Sequence, residues 1–282
     1  MRNRKELLRS TSLFVFDFDE TIAATNLLSP NKLNVVKAYE LALDKMFGVA
    51  GLLETVGGLQ NRTPGQLLSH VFVQNRSFSL VENAREYYAC HRERLSGLVP
   101  AGKGVDMDSA LTRGDDHGFC TELLVREKLA LLHAEQGKGP SGVWPAPCKG
   151  AKAFLKALGD QPWGIISSGH DKFIAATFRL WRLSKPALSV TDDDLRGLDL
   201  PVEVRSKPSA YLFDVLLKQA ASKGILIPRD RILFIGDDPD KDGGLATNAG
   251  VHFLWYNQWG KPSREGVTEF RHWGELAAEY RG

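Results

Sequence analysis

Two acidic segments contain the residues whose types and spacing are best suited to chemistry. Asp17 and Asp19 stand two residues apart in FDFDET, and side chains at that spacing project to the same side of an extended chain. The second segment, GDDPDKDGG, has four acids within six residues: Asp237, Asp238, Asp240 and Asp242. Carboxylates this close together repel one another unless a divalent cation neutralises them, and such oxygen ligands suit Mg²⁺. A lone Asp-x-Asp is more typical of a solvated turn, but here the two segments together predict a metal site.

Two other segments offer groups that could bind an anion. The segment IISSG places hydroxyl and backbone donors near a predicted helix N-terminus, at Ser167, Ser168 and Gly169. Lys207 precedes Pro208, which suits the first turn of a helix, so we expect the lysine just before a helix. Taken singly, the serines could instead cap a helix and the lysine could be solvated. A hydrolase nucleophile elbow is excluded, because its glycine is replaced by Ile165.

Two further motif matches are incomplete. The start of an EF-hand calcium loop matches Asp238, Asp240, Asp242 and Gly243. Its twelfth position, where the loop needs glutamate, is Ala249, and the preceding segment is strand-like. The segment GLVPAGKG, residues 97–104, resembles a phosphate loop but has Gly104 where serine or threonine should bind Mg²⁺. We therefore disfavour a calcium loop and exclude hydrolysis of nucleoside triphosphates.

Four short apolar runs predict the strands that position these residues. They are Leu13–Phe16, Trp163–Ile166, Ile232–Ile235 and Val251–Tyr256. Continuous runs of this length are typical of strands buried on both faces, and segments with helical spacing lie between them, as at 151–158 and 212–216. This alternation predicts an α/β fold with a parallel sheet. Ligands bind such sheets at the carboxyl ends of the strands, which is where the acidic and serine segments fall.

The alternation is interrupted between residues 25 and 145, where helical patterns dominate. Helices are predicted around residues 35–46, around 81–95, and from Thr121 to about Ala134, with a mobile loop over residues 100–118. Proline, glycine and small residues flank this block, as at many domain boundaries. We predict a core domain of residues 1–24 and 146–282 and an inserted helical domain of residues 25–145.

Composition excludes several classes of protein. The chain has 282 residues, 43% of them hydrophobic and 25% charged, with a net charge of +2, which is typical of a globular protein. Its basic residues are scattered, so neither nucleic acid nor a membrane is an expected partner. The cysteines, Cys90, Cys120 and Cys148, form no zinc motif or disulfide framework. Without an export signal or a long apolar span, we expect a cytoplasmic protein. The oligomeric state stays open.

The ordered motifs, FDFDET, IISSG, Lys207 and GDDPDKD, resemble those of the haloacid dehalogenase superfamily. The resemblance implies an α/β, Rossmann-like core with an inserted α-helical cap. Asp17 and Ser167 are 150 residues apart, which leaves room for that cap after the first motif. By resemblance, Asp17 is the nucleophile that forms an aspartyl-phosphate, and Asp19 is the general acid and base.

The resemblance implies roles for further residues. Mg²⁺ would be bound by Asp17, the backbone carbonyl of Asp19 and Asp237. Asp242 is also assigned to the metal site. It would act there either on the metal or by orienting Lys207 or a metal-bound water. Ser167 and Lys207 would contact the transferred phosphoryl group. Candidate substrate-binding residues are Thr21, Ser168, Gly169 and, in the cap, Arg62. The roles of Asp238 and His170 stay open.

By this resemblance, the presence of Asp19 favours phosphate esters over dehalogenation or phosphonate cleavage. A cap over the site implies a small substrate. We therefore predict a Mg²⁺-dependent phosphatase whose partner is a small phosphorylated metabolite, which the sequence does not identify. A phosphosugar mutase would use the same residues, and a non-catalytic module that binds divalent metal is the alternative from another class.

Overall fold

The computed structural model describes residues 3–26, 35, 37–38, 41–42, 116–134, 144–195 and 198–281. Within these residues, six strands form one parallel sheet in the order β5-β4-β1-β6-β7-β8. They are β1 (Leu13–Phe16), β4 (Trp163–Ile166), β5 (Leu188–Val190), β6 (Ile232–Gly236), β7 (His252–Tyr256) and β8 (Thr268–Phe270). Two shorter strands, β2 (Ala23–Ala24) and β3 (Ala146–Pro147), pair antiparallel in a separate ribbon. The predicted α/β class and Rossmann-like parallel sheet are confirmed.

Helices connect and flank the strands. They are α1 (Arg4–Ser10), α2 (Asp116–Ala134), α3 (Ala151–Ala157), α4 (Asp171–Leu180), α5 (Asp192–Leu195), α6 (Val202–Arg205), α7 (Tyr211–Ser222), α8 (Lys241–Ala249) and α9 (Trp273–Arg281). None of the described helices is both long enough and apolar enough to span a membrane.

The central strands are buried on both faces, which explains their unbroken apolar sequence. On one face, Phe14 packs against Phe154 of α3, whose ring lies 5.3 Å from that of Trp273 in α9. On the other face, Leu13 and Val15 belong to a cluster with residues of α7 and α8. Complete removal of these side chains from water stabilises the sheet and holds the carboxyl ends of its strands in place.

The chain divides into two compact units, Met1–Ala24 with Ala146–Gly282, and Thr25–Pro145. In the second unit, residues 35, 37–38 and 41–42 are helical, as is α2. The carbonyl of Thr25 accepts hydrogen bonds from the backbone N–H of Val35 at 2.8 Å and from Trp144 Nε1 at 3.1 Å. These bonds join the two ends of the unit.

Two predictions about the helices are wrong in detail. Helix α2 begins at Asp116, so the last three residues of the predicted loop are helical, because the polar first turn of a helix shows no apolar spacing. Pro208 does not start a helix: it lies in a turn in which Ser209 N donates to the carbonyl of Ser206, and α7 begins at Tyr211. The predicted helix around residues 81–95 and the rest of the predicted loop lie outside the described residues.

Candidate active site

Asp17 lies at the carboxyl end of β1, beside the neighbouring strand β6. Its backbone N–H donates to the carbonyl of Ile235 at 2.9 Å, which continues the pairing of the two strands beyond Phe16. The side chain of Asp17 is 11% exposed. The sheet therefore holds this carboxylate at the edge where the resemblance places a nucleophile.

Lys207 bridges two carboxylates at the same edge of the sheet. Its Nζ donates to Asp17 Oδ1 at 2.5 Å and to Asp242 Oδ1 at 2.7 Å, and it lies 5.3 Å from the centre of the Phe234 ring. Burial lowers the pKa of Lys207, but the charges of Asp17 and Asp242 outweigh burial and raise it above its ordinary value. Lys207, which lies in the turn between α6 and α7, is therefore a buried and protonated cation.

Asp242 is held by contacts on both of its carboxylate oxygens. Oδ1 accepts from Lys207, and Oδ2 accepts from the backbone N–H of Asp238 at 3.1 Å. The side chain lies in the first turn of α8 and is 2% exposed. Because the protein already bonds to both oxygens, this geometry favours an orienting role for Asp242.

Asp238 and Asp240, two further acids of the second segment, bond to groups other than Lys207. Asp238 Oδ1 accepts from the backbone N–H groups of Asp240 and Lys241 at 2.9 and 3.1 Å, at the start of α8. Asp240 forms an exposed ion pair with Arg264. Because the segment is helical from Lys241, the calcium-loop interpretation is excluded.

Asp237 follows the last residue of β6 and lies close to Asp17. Thr21 Oγ1 donates to Asp237 Oδ1 at 3.2 Å, and Trp255 Nε1 donates to the backbone carbonyl of Asp237 at 3.0 Å. Burial raises the pKa of Asp237 well above its ordinary range, and the negative charges of Asp17 and Asp242 raise it further. The ionised form of Asp237 is therefore unfavourable unless a cation lies close to it.

Asp17, Asp237 and Asp242, which we call the acidic cluster, fit a divalent cation. Each offers one carboxylate oxygen, and these atoms lie within 4.8 Å of one another. All three donors are hard oxygens, the type that Mg²⁺ prefers. Burial, together with the negative charges of Asp242 and Asp19, raises the pKa of Asp17 to about 7 against the opposing charge of Lys207. A cation would relieve the excess negative charge that one lysine leaves uncompensated.

Asp19 and Ser167 meet beside Gly169, at the carboxyl end of β4. A Cβ atom on Gly169 would lie 3.1 Å from Ser167 Oγ and 3.3 Å from Asp19 Oδ2, so glycine leaves the space that both groups use. The buried Ser167 Oγ accepts from the backbone N–H of Gly169 at 2.9 Å. Ser168 is exposed, and helix α4 begins three residues later at Asp171. The serine segment therefore faces the acidic segment, as the motif order predicts.

His170 lies beside a second group of acids. Its Nδ1 is 3.9 Å from Asp192 Oδ2 and 3.8 Å from Asp193 Oδ1. Asp193 also accepts from the backbone N–H of Asp171 at the start of α4, at 2.7 Å. This contact gives Asp193 a structural role at the start of the helix.

Of the predicted site residues, a first group lies together and consists of Asp17, Thr21, Lys207, Asp237 and Asp242. Asp19, Ser167 and Gly169 meet at the end of β4, whereas Ser168 is exposed and Arg62 lies outside the described residues. Sequence reasoning missed the residues that support the site: Glu20, Gly236, Trp255 and Gln258. Among these, Gly236 had a signal, since a glycine between a buried strand and an acidic pair marks a close approach. For Trp255 and Gln258 no local signal exists, because their bonds join distant parts of the chain.

Known proteins are similar to this chain in part of the sequence and in fold. Residues 204–279, which include Lys207 and the second acidic segment, match a family model described as HAD-hydrolase-like. No curated protein matches the chain. Among solved structures, a 2-haloacid dehalogenase from Pseudomonas syringae pv. Tomato is 19% identical, with a TM-score of 0.52 over 96% of this chain and 98% of that one.

Two further solved structures are similar at the same level. A HAD phosphatase from Thermococcus onnurineus is 17% identical, with a TM-score of 0.52 over 95% of this chain and 97% of that one. The magnesium-bound HAD-hydrolase YfnB from Bacillus subtilis is 16% identical, with a TM-score of 0.54 over 96% and 99%. The protein therefore has the fold of the haloacid dehalogenase-like hydrolases, and the resemblance predicted from the motifs is confirmed. Because this fold includes both a dehalogenase and a phosphatase, it does not by itself select the reaction.

Proposed function

We propose that this protein is a Mg²⁺-dependent phosphatase that hydrolyses a small phosphorylated metabolite through an aspartyl-phosphate. The observation that carries the proposal is the position of Lys207 Nζ, 2.5 Å from Asp17 Oδ1 within the acidic cluster. A carboxylate approaches an anionic phosphate ester only if cations offset the repulsion between them. One buried lysine and a set of donors that fits Mg²⁺ meet that need beside Asp17.

In the first step, a carboxylate oxygen of Asp17 attacks phosphorus and the bond from phosphorus to the leaving oxygen breaks. Asp19 gives its proton to that oxygen, so the alcohol leaves in neutral form. In the second step, Asp19 takes a proton from water, the resulting nucleophile attacks phosphorus, and inorganic phosphate leaves the regenerated Asp17. Bound Mg²⁺ would supply positive charge to the phosphoryl oxygens and keep Asp17 ionised.

Other residues hold the reacting groups in place. We assign the donors to the phosphoryl oxygens to Ser167 and Lys207, and the orientation of Lys207 to Asp242, whose Oδ1 accepts from it at 2.7 Å. Thr21 orients Asp237, the second proposed Mg²⁺ ligand, through the 3.2 Å hydrogen bond to Oδ1. Gly169 and the exposed Ser168 are proposed to contact the substrate phosphate.

The presence of Asp19 supports an ester substrate over a haloacid. Release of an alcohol from phosphorus requires a proton at the leaving oxygen, whereas a halide leaves without one. Asp19 Oδ2 and Ser167 Oγ both lie within 3.3 Å of the position that a Cβ atom on Gly169 would take, and this proximity supports a role for Asp19 as the acid. The magnesium in the structure of YfnB supports the choice of metal.

The test measures release of inorganic phosphate from a panel of phosphorylated metabolites, with and without Mg²⁺. We expect turnover that needs Mg²⁺ and that Asp17→Asn abolishes. The matched control is Asp214→Asn, which changes an exposed aspartate in an ion pair with Arg229 and should retain full turnover. Absence of phosphate release from the whole panel would contradict the proposal. A phosphosugar that isomerises without releasing phosphate, followed by ³¹P NMR, would indicate a mutase.

A further inference from the structure

The chain turns sharply directly after Asp19. The backbone N–H of Glu20 donates to the carbonyl of Ala23 at 2.7 Å. The carbonyl of Phe18 accepts from the N–H of Ala23 at 2.9 Å, which closes the turn. Glu20 has a φ of 59°, in the left-handed region that non-glycine residues enter only at a cost in free energy. Such a conformation persists only where surrounding contacts hold it, so the contacts made to Glu20 decide its geometry.

Gln258 holds this turn from another strand of the sheet. Its Nε2 donates to the carbonyl oxygen of Glu20 at 2.9 Å, although the two residues are 238 positions apart. Gln258 is half-buried and follows the last residue of β7 by two positions. Strand β6 lies between β1 and β7, so the bond joins segments that follow two non-adjacent strands. Cys148 Sγ lies 3.7 Å from the same carbonyl and gives it a weaker second donor.

The end of β7 and the loop after it also hold the second acidic segment. Both Nη atoms of Arg264 donate to the carboxylate of Asp240, at 2.5 and 2.9 Å. Trp255 Nε1 donates to the carbonyl of Asp237, and Thr21 Oγ1 joins the turn to the carboxylate of the same residue. One loop therefore contacts both segments that supply the acidic cluster.

We propose that Gln258 is a positioning residue for Mg²⁺ binding. Its amide holds the left-handed turn at Glu20 and thereby sets where Thr21 stands relative to Asp237. This inference rests on the proposed function, since it takes the acidic cluster as the Mg²⁺ site. Mg²⁺ demands nearly ideal geometry of its oxygen ligands, so a small relaxation of the turn weakens its binding.

The test measures Mg²⁺ affinity by isothermal titration calorimetry on the full chain, with Mg²⁺ alone as the titrant. We expect Gln258→Ala to weaken binding about tenfold, the scale seen when a group that orients a metal ligand is lost. The matched control is Gln161→Ala. Gln161 Nε2 donates to the carbonyl of Ser12 at 2.5 Å, so the same kind of bond is lost just before the other end of β1. This control should leave Mg²⁺ affinity within about twofold of the wild type.

A second variant separates geometry from charge. Gln258→Glu has the same size, but at pH 8 its carboxylate cannot donate to the Glu20 carbonyl and adds negative charge near the acidic cluster. A positioning role predicts weaker Mg²⁺ binding in this variant, whereas an effect of charge alone predicts tighter binding. Weaker binding in both Gln258 variants, with the Gln161→Ala control unchanged, supports the proposal.

Four outcomes would overturn the inference. Unchanged or tighter binding in Gln258→Glu, or an equal loss in Gln161→Ala, excludes the turn as the cause. If Gln258→Ala keeps wild-type Mg²⁺ affinity while the wild type releases phosphate with Mg²⁺, only this inference fails. If the wild type itself binds no Mg²⁺, the proposed function fails together with it.

Discussion

Asp242 packs directly against Gly236. A Cβ atom at position 236 would lie 2.2 Å from Asp242 Oδ2 and 2.5 Å from its Cγ, far inside van der Waals contact. Asp242 uses that space to reach Lys207 with one oxygen and the backbone N–H of Asp238 with the other. Glycine at the end of β6 is therefore a condition for the orientation of Lys207.

Replacing Gly236 should accordingly damage both stability and turnover. We expect Gly236→Ala to lower the free energy of unfolding by about 1–3 kcal/mol, because the added methyl group overpacks a buried contact. Phosphate release should fall by about a hundredfold or more, since the displaced Asp242 no longer orients Lys207. Urea unfolding and a phosphate assay measure the two effects.

The control for this variant is Gly274→Ala, at a helical position where an added Cβ meets nothing within 4 Å. That change should keep turnover and leave the free energy of unfolding unchanged or slightly higher, because alanine favours helix. Wild-type turnover in Gly236→Ala would contradict the orienting role of Asp242.

Gly169 should affect turnover more than stability. The added methyl group of Gly169→Ala would crowd Ser167 Oγ at 3.1 Å and Asp19 Oδ2 at 3.3 Å, contacts that a small side-chain shift relieves. We expect kcat/KM to fall about ten- to a hundredfold, because the acid and the phosphate donor are displaced together. The free energy of unfolding should change by less than about 1 kcal/mol. The control is Lys172→Ala, at an exposed position in the first turn of α4, which should leave kcat/KM unchanged. Equal kcat/KM values in the two variants would argue against a role for the space beside Gly169.

Removal of the lysine charge should destabilise the protein in a pH-dependent way. Lys207→Met leaves Asp17 and Asp242 buried without their cation, and loss of one partner of a buried pair costs about 3–5 kcal/mol. Without Lys207 the pKa of Asp17 rises further, because the charge that opposes the effect of burial is gone, so the folded state favours the neutral form of Asp17. The loss of stability should therefore be larger at pH 8 than at pH 6, as measured by urea unfolding. Lys218→Met, at an exposed position of α7, should show neither loss nor pH dependence.

Mg²⁺ affinity should rise with pH. In the metal-free protein, burial holds the pKa of Asp17 at about 7, above its ordinary value of 3.8. The neutral acid therefore favours the folded state at low pH, and this contribution is lost as pH rises from about 4 through 7. Mg²⁺ must displace that proton, so affinity should increase up to about tenfold per pH unit below pH 7 and level off above it.

Calorimetry at pH 6, 7 and 8 tests this prediction, and titrations in buffers of different ionisation enthalpy measure the proton released. Asp17→Asn should show weaker binding with a shallower dependence on pH, because its amide does not titrate. Binding of Mg²⁺ that is equally strong at pH 6 and pH 8 would contradict the prediction.

Local patterns in the sequence predicted much of the core. Strands β1 and β4 begin and end where their apolar runs do, because a strand buried on both faces needs an unbroken run of apolar residues. The three-residue strands β5 and β8 were missed, since runs so short resemble loops. The turn at Pro208 was misplaced because proline suits a turn as well as the first turn of a helix.

The residue types and their order along the chain determined where chemistry would occur, since parallel strands bring their carboxyl ends to one edge of the sheet. Only the tertiary structure decided which of the four neighbouring acids contacts Lys207. Asp242 does so because its position in α8 packs its side chain against Gly236. Likewise, only the tertiary structure showed that Gln258 bonds to Glu20, a residue 238 positions away. The physical reason is that local periodicity encodes burial, whereas pairing between distant residues depends on the order of the strands in the sheet.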